Sequence, residues 1–380
     1  MALWTNGNTL KLLENGDSFF NAVLEAIYKA KSEIFFETYI YQWDNIGQKL
    51  GEAFTQAVKR GVKIHVLLDS FGSHNFPSEV VKSWQQLGIQ VRFYQPLRGL
   101  QLLQKATFSR LHRKCIAIDQ CVAFIGGINV GDDYLQQPNQ PARLDYAVQI
   151  EGPLVPRIQK RMSWLFLRQL NDWKSYFPAL APAFSESPPA NGQSRAAFVV
   201  RTNLAHRKSI EKEYLKAISS AQQSILIANA YFLPGFKLRF RLKQARKRGV
   251  RVRLLLQGLP EFWAVKLATQ AMYHEFLKHG VEIYEYKPSY LHAKVAVIDN
   301  VWSTVGSCNL DPLSLNFNLE ANVIIQDNQF ANKLQSILET HIQNESVKIE
   351  FDSYQHRSLL TRFLQNFCLF FIRWLILPPR

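Results

Sequence analysis

Short apolar runs alternate along this chain with longer stretches in which apolar positions recur every three or four residues, and the succession occurs twice. Ile34-Phe35-Phe36 follows one amphipathic stretch; the segment Lys59-Arg60-Gly61-Val62-Lys63 then closes another and opens the apolar run Ile64 to Leu68. In the second half Ile225-Leu226-Ile227 follows an amphipathic stretch, and Lys247-Arg248-Gly249-Val250-Arg251 opens Val252 to Leu256. Helical periodicity predicts helices and short bounded apolar runs predict strands, so each half reads as helix, strand, helix, strand and then a hairpin.

The hairpins match most closely. Leu111-His112-Arg113-Lys114-Cys115-Ile116-Ala117-Ile118-Asp119 aligns without gaps on Leu291-His292-Ala293-Lys294-Val295-Ala296-Val297-Ile298-Asp299, a shift of 180 positions. At the same shift Gly126 and Asn129 meet Gly306 and Asn309. A repeat of this size is a duplicated α/β domain. Tyr176 to Ser194, with Pro178, Pro182, Pro188, Pro189 and Gly192, has the composition of a linker. The expected organisation is a first domain over 1–175, a linker over 176–194, a second domain over 195–345 and a tail over 346–380.

At 380 residues the chain exceeds what one core serves, and 47% hydrophobic with 13% aromatic residues excludes disorder. A net charge of +15 asks for an anionic partner: nucleic acid, acidic lipid or a phosphorylated metabolite. Cys115, Cys121, Cys308 and Cys368 form no paired or zinc spacing, which fits a reduced, cytosol-facing protein. The polar start of the chain resembles no secretory signal. From Leu359 to Leu377 the tail is apolar but broken by Arg362, Gln365, Asn366 and Arg373, too interrupted to span a bilayer comfortably. Phe363, Phe367, Phe370, Phe371 and Trp374 fall largely at helical spacing, which fits a helix in a membrane interface or one packed on the domain.

Residues two apart on a strand face one way, so His112 shares a face with Lys114, and His292 with Lys294. Asp119 and Asp299 complete the two His-x-Lys-x4-Asp motifs but stand an odd step away at a turn; they read as anchors of the motif rather than substrate contacts. The stretches ending at Asn129 and Asn309 let the backbone approach a ligand, which makes Asn129, Asn309 and Ser307 candidate phosphate ligands. Asp145 and Glu320 hold matching places at the start of a late strand, where an acid can accept the second imidazole N–H and fix the tautomer. Such a set suits displacement at a phosphodiester: one His attacks phosphorus, the other protonates the leaving alcohol and deprotonates the incoming one. Lys and Asn would stabilise the phosphoryl oxygens, so no cofactor and no metal is expected.

These residues resemble the signature of the phospholipase D superfamily, and the likeness covers nearly the whole chain. Leu13-Glu14-Asn15-Gly16, Phe36-Glu37-Thr38-Tyr39, Ala228-Asn229-Ala230-Tyr231-Phe232 and the segment from Gly306 to Leu315 resemble the bacterial cardiolipin synthases in particular. The resemblance implies an α/β fold of two duplicated α/β/α sandwich domains with mixed central sheets, related by a pseudo-twofold and sharing one active site. It implies that His112, Lys114, Asp119, His292, Lys294 and Asp299 form the catalytic motifs, with His112 as nucleophile and His292 as acid and base. The implied reaction moves a phosphatidyl group from one phosphatidylglycerol to the glycerol headgroup of another. Pro312-Leu313-Ser314 departs from the Arg-Ser that many relatives carry after Asn-Leu-Asp.

Leu97 to Arg110 mixes Leu100, Leu102, Leu103 and Phe108 with Arg98, Lys105 and Arg110, as a surface dipping into anionic lipid would. The expected partners are an anionic phospholipid, phosphatidylglycerol, and a membrane surface, with the chain peripheral to the cytoplasmic face of the bacterial inner membrane. No nucleic acid is required, and oligomeric state is not legible in the sequence. A hydrolase releasing phosphatidic acid would use the same residues with water as acceptor. A phosphodiesterase or nuclease would suit the charge equally well, and the apolar tail and Leu-rich segment argue against it.

Overall fold

The computed structural model of the chain describes residues 3–95, 109–138, 140–169, 190–259 and 261–376. Most of the Leu-rich segment before His112 and most of the expected linker lie outside these residues. The first half runs β1 (Trp4–Glu14), α1 (Asn15–Lys29), β2 (Glu33–Thr38), α2 (Asn45–Lys59), β3 (Lys63–Asp69), α3 (Ser78–Gln86), β4 (Gln90–Tyr94), β5 (Cys115–Ile118), β6 (Val122–Gly126), β7 (Tyr146–Glu151) and α4 (Val155–Leu167). The second runs β8 (Ser194–Arg201), α5 (Ser209–Ser220), β9 (Ser224–Asn229), α6 (Phe236–Lys247), β10 (Arg251–Gln257), α7 (Trp263–Ala271), α8 (Tyr273–Lys278), β11 (Glu282–Tyr286), β12 (Lys294–Ile298), β13 (Trp302–Gly306), α9 (Pro312–Asn316), β14 (Glu320–Gln326) and α10 (Asn328–Glu345). A short β15 (Ser346–Lys348), α11 (Phe351–Gln355) and α12 (Leu359–Ile376) complete it.

Local chemistry accounts for the elements that frame the site. In α2, Ile46, Leu50, Ala53, Phe54 and Ala57 are buried at spacings of three and four, and the Asp44 side chain caps the start by accepting from Gly47 N at 3.1 Å. Strands β2 and β9 are buried almost throughout around the apolar runs Ile34-Phe35-Phe36 and Ile225-Leu226-Ile227-Ala228, as interior strands covered on both faces are.

The strands form one continuous sheet in the order β15-β11-β10-β9-β12-β13-β14-β8-β1-β7-β6-β5-β2-β3-β4. Outward from the β8–β1 contact both halves follow one plan, and β2, β3 and β4 pair in parallel, as do β9, β10 and β11, within otherwise antiparallel surroundings. The two mixed sheets are thus fused edge to edge, Trp4 pairing with Ala197 and Thr5 with Ala196, so that neither β1 nor β8 is left as an open edge. These two strands precede the first helix of each half.

One core draws on both halves, with Ile158, Met162 and Phe166 of α4 and Leu334, Leu338 and Ile342 of α10 over strands from each. A second core lies under α1, α2 and α3, and a third under α5, α6, α7 and α8. The tail helix α12 lies along α7 and packs Cys368, Leu369 and Ile372 against that third core. Its other face stays open: Phe363, Phe367, Phe370, Phe371 and Trp374 are exposed, and the rings of Phe363, Phe367 and Phe371 stack at 6.2 and 6.3 Å. Among the described residues no helix is long and apolar enough to cross a membrane.

Candidate active site

Each motif sits on a hairpin whose turn demands unusual backbone. Asp119 and Gln120 adopt φ of 54° and 59°, and Asp299 and Asn300 adopt 53° and 54°. Asp is among the residues that tolerate this region. Each carboxylate turns away from the site to gather loop N–H groups. Asp119 accepts from the backbone of Lys31, Ser32 and Glu33 at 2.7–2.9 Å and from the Ser32 hydroxyl at 2.7 Å. Asp299 accepts from Gln222, Gln223 and Ser224 at 2.8–2.9 Å.

At the other end of each hairpin the chain approaches β5 or β12 as an extended lead-in, and the histidines stand there, just ahead of the regular strands. The lead-ins bind the opposite half. Leu111 bridges Leu319 and Leu144 bridges Leu291, with His112 N donating to Leu319 O at 3.0 Å and His292 N to Leu144 O at 2.8 Å. The residue following each bridging leucine of the partner is an acid, so the acids cross over. Glu320 of the second half lies 3.0 Å from His112 Nδ1, and Asp145 of the first lies 2.6 Å from His292 Nδ1. The sequence placed an acid beside each histidine without assigning partners; the structure exchanges them across the seam.

With Nδ1 held by an acid, Nε2 is left to the cavity between the halves. Its volume is about 620 Å³, and His112, His292, Asn129 and Asn309 all line it. Aromatic walls come from Tyr39, Phe71, Tyr134, Tyr231 and Phe262. Lys114 and Lys294 are buried against the motif backbone: Lys114 Nζ donates to His112 O at 2.8 Å and faces the Tyr39 ring at 5.2 Å, while Lys294 Nζ donates to His292 O and stands 2.8 Å from His292 Nδ1.

The two rings differ electrostatically. Burial lowers the pKa of His112, and Glu320 opposes this; burial and both lysines push His292 well below the usual histidine range. Burial would raise Glu320, yet His112, Lys114 and the Ser307 hydroxyl hold it below the ordinary carboxylate value. Burial lifts Asp145 to about 6 despite Lys294. Lys114 falls to about 7, chiefly through burial, and Lys294 falls for the same reason.

His112, His292, Asn129, Asn309, Asp145, Glu320, Lys114 and Lys294 therefore converge, whereas Asp119 and Asp299 lie at the far hairpin turns. Ser307 corrects the sequence reading. It is fully buried, donates to Glu320 and accepts from Ala321 N at 3.1 Å, so its hydroxyl supports the acid and is not turned to a phosphate. Tyr134 was not foreseen. Its hydroxyl is 3.1 Å from His292 Nδ1 and accepts from Asn129 Nδ2 at 3.1 Å. Its signal is positional: five residues after Asn129, where Ser314 follows Asn309. Among the described residues no group of three or more His, Cys, Asp or Glu side chains is placed to hold a metal ion.

Known proteins resemble this chain over most of its length. Residues 23–162 and 214–342 match the family described as cardiolipin synthase, PLD-like domain. The chain is 40% identical over 358 residues to cardiolipin synthase B of Salmonella typhi, covering 91% of this chain and 83% of that one. It is 39% identical over 342 residues to cardiolipin synthase B of Escherichia coli K12, covering 88% and 80%. The crystal structure of phosphatidylserine synthase from Haemophilus influenzae Rd KW20 shares the fold, with a TM-score of 0.72 over 96% of this chain and 92% of that one, at 14% identity.

Proposed function

The chain belongs to the phospholipase D-like cardiolipin synthase family, and we propose that it transfers a phosphatidyl group from one phosphatidylglycerol to another, forming cardiolipin and glycerol. The observation that carries this reading is the crossed His–acid pairing around one cavity, two oriented imidazoles on either side of a space that fits a phosphodiester. His112 Nε2 attacks phosphorus, the bond to the departing glycerol oxygen breaks, and that oxygen takes a proton from His292. The incoming glycerol hydroxyl then returns a proton to His292 as its oxygen displaces His112 from phosphorus. Asn129 and Asn309 donate to the phosphoryl oxygens, and the buried lysines stabilise their charge from behind the motif backbone. The bound phosphate in turn offsets the field of both lysines on His292, so that its ring can hold the proton it must deliver. No step calls for a cofactor.

The two halves act as two domains, residues 1–175 and 195–345, that each contribute one histidine to the shared cavity and one acid to the other half's histidine. The open aromatic face of α12 supports a peripheral position on the membrane, at the cytoplasmic face of the bacterial inner membrane, where four free thiols also fit. Purified protein given labelled phosphatidylglycerol in mixed micelles tests the reaction. Cardiolipin with an equivalent of glycerol is expected; phosphatidic acid as the main product would make the chain a hydrolase, and inertness toward lipid with cleavage of oligonucleotides would make it a nuclease.

A further inference from the structure

One wall of the cavity has a composition unlike the rest. Asp133 and Arg143 come from the first half and Tyr231 and Glu261 from the second, and all four line the cavity. Arg143 joins them: its Nε lies 2.6 Å from Asp133 Oδ2, its Nη1 donates to Glu261 Oε1 at 2.8 Å, and its guanidinium covers the Tyr290 ring at 5.0 Å. The Tyr231 hydroxyl donates to Glu261 Oε2 at 2.5 Å.

Two carboxylates line this wall, and the Asp133 and Glu261 side chains stay 27% and 22% exposed. A carboxylate only accepts hydrogen bonds, so the group that fills the space beside them brings donors. A phosphate brings acceptors and negative charge, and two carboxylates repel it. A second cation would sit against the guanidinium that already occupies the carboxylates. Neutral hydroxyl groups satisfy both conditions. The wall also belongs to His292, since Glu261 and Arg143 both act on the charge of that ring. His292 is the group that exchanges protons with the departing and arriving alcohol.

We propose that Asp133 and Glu261, held by Arg143 and Tyr231, form a polyol subsite that binds the vicinal hydroxyls of a glycerol headgroup and selects a diol as the alcohol entering or leaving at His292. This rests on the transferase reading given above. Asp133 and Glu261 contact the hydroxyls; Arg143 and Tyr231 are positioning residues. One hydroxyl of the diol reacts at phosphorus while its neighbour donates to a carboxylate, which water and simple alcohols cannot do with both groups at once.

Competition in one tube tests the subsite without dependence on how much protein is folded. The full chain is given labelled phosphatidylglycerol in mixed micelles with equal concentrations of propane-1,2-diol, 1-propanol and ethanolamine, and the phosphatidyl products are separated. The native protein is expected to favour the diol, and Glu261→Gln, Asp133→Asn and Tyr231→Phe to lower the diol-to-propanol product ratio by about fivefold or more, as loss of a hydrogen bond to a charged group predicts. Three variants guard against one that fails to fold. Equal use of diol and propanol by the native protein, or an unchanged ratio in all active variants, would overturn the subsite while leaving the transferase intact. Preference for ethanolamine would overturn it in favour of a cation site. Phosphatidic acid alone, with no product from any alcohol, would remove the transferase reading and the subsite with it.

Discussion

The two half-sites are copies of one design that the rest of the molecule has made unequal. Around His112 the acid is Glu320, supported by Ser307 and kept ionised. Around His292 the acid is the shorter Asp145, and the residue matching Ser307 is Gly127, where a Cβ would come within 2.4 Å of Asp145 Oδ1. Space that one half gives to a hydroxyl, the other gives to the approach of the carboxylate itself. Lys294 and the Tyr134 hydroxyl then crowd the same ring nitrogen, while His112 Nδ1 pairs with Glu320. A ring paired with a firm carboxylate is suited to carry the positive charge of a phosphohistidine; a ring pressed by a lysine gives up a proton readily.

The histidines separate these roles most sharply. His112→Ala is expected to lose turnover roughly 10³-fold or more and also the capacity to become labelled by phosphatidyl donor. His292→Ala should lose turnover to a similar degree yet still accumulate label, trapped by a denaturing quench at alkaline pH, where a bond from histidine nitrogen to phosphorus survives. Label on the His112→Ala protein, and none on His292→Ala, would reverse the assignment. The acids give the next largest effect, on the order of 10²-fold in kcat for Glu320→Gln and for Asp145→Asn, because each amide disturbs the tautomer it should fix. They should differ in pH. Asp145, raised to about 6, loses its charge and its hold on His292 as pH falls through that value, whereas Glu320, held low, stays ionised there. The acid limb of the native kcat profile near pH 6 should therefore vanish in Asp145→Asn and persist in Glu320→Gln.

Much of this was legible because duplication leaves a register in the sequence. The shift of 180 positions found both His-Lys pairs and both asparagines, and parity along the strand set Asp119 apart from His112. The crossing of the acids was not legible, because it follows from the β1–β8 junction and the two lead-in bridges, contacts between residues far apart that leave no periodic trace. Ser307 misled for a related reason: a small hydroxyl beside Asn309 suits a phosphate until β14 brings Glu320 against it. Tyr134 ends a single 3-10 turn over Asp132–Tyr134, and Arg143 and Glu261 lie on irregular segments between strands, where apolar patterning says nothing about direction.

Tyr134 and Ser314 occupy matching places and sharpen the comparison at lower amplitude. Tyr134→Phe removes a hydroxyl that touches both His292 and Asn129 and should cost about tenfold in kcat. Ser314 instead donates to Asp311 Oδ2 at 3.1 Å, within the cap of α9, so Ser314→Ala should stay within about twofold, because its hydroxyl is committed to the cap and touches neither histidine. Equal losses at the two positions would mean that the half-sites are more alike than their contacts.

The smallest catalytic effect is expected at the two motif residues where the halves are most alike. Asp119 gathers four hydrogen bonds and Asp299 three, from the loop ahead of the neighbouring strand and that strand's first residue, β2 in one half and β9 in the other. Replacing either by Ala leaves those N–H groups near the surface, where water satisfies part of the deficit, so the loss of stability should be about 2 kcal/mol and slightly greater for Asp119. Burial would raise the Asp119 carboxyl, but the N–H groups of Glu33, Lys31 and Ser32 and the Ser32 hydroxyl hold it below its ordinary value. Its contribution is therefore present above the unfolded value near ~3.9 and is lost as pH falls through the lower folded one. Thermal unfolding of Asp119→Ala against the native protein should show a gap that is constant above pH 5 and closes toward pH 3, with turnover per folded molecule unchanged at neutral pH. A fall in turnover without a fall in melting temperature would place Asp119 in the chemistry after all, and the hairpin turn would cease to be only an anchor.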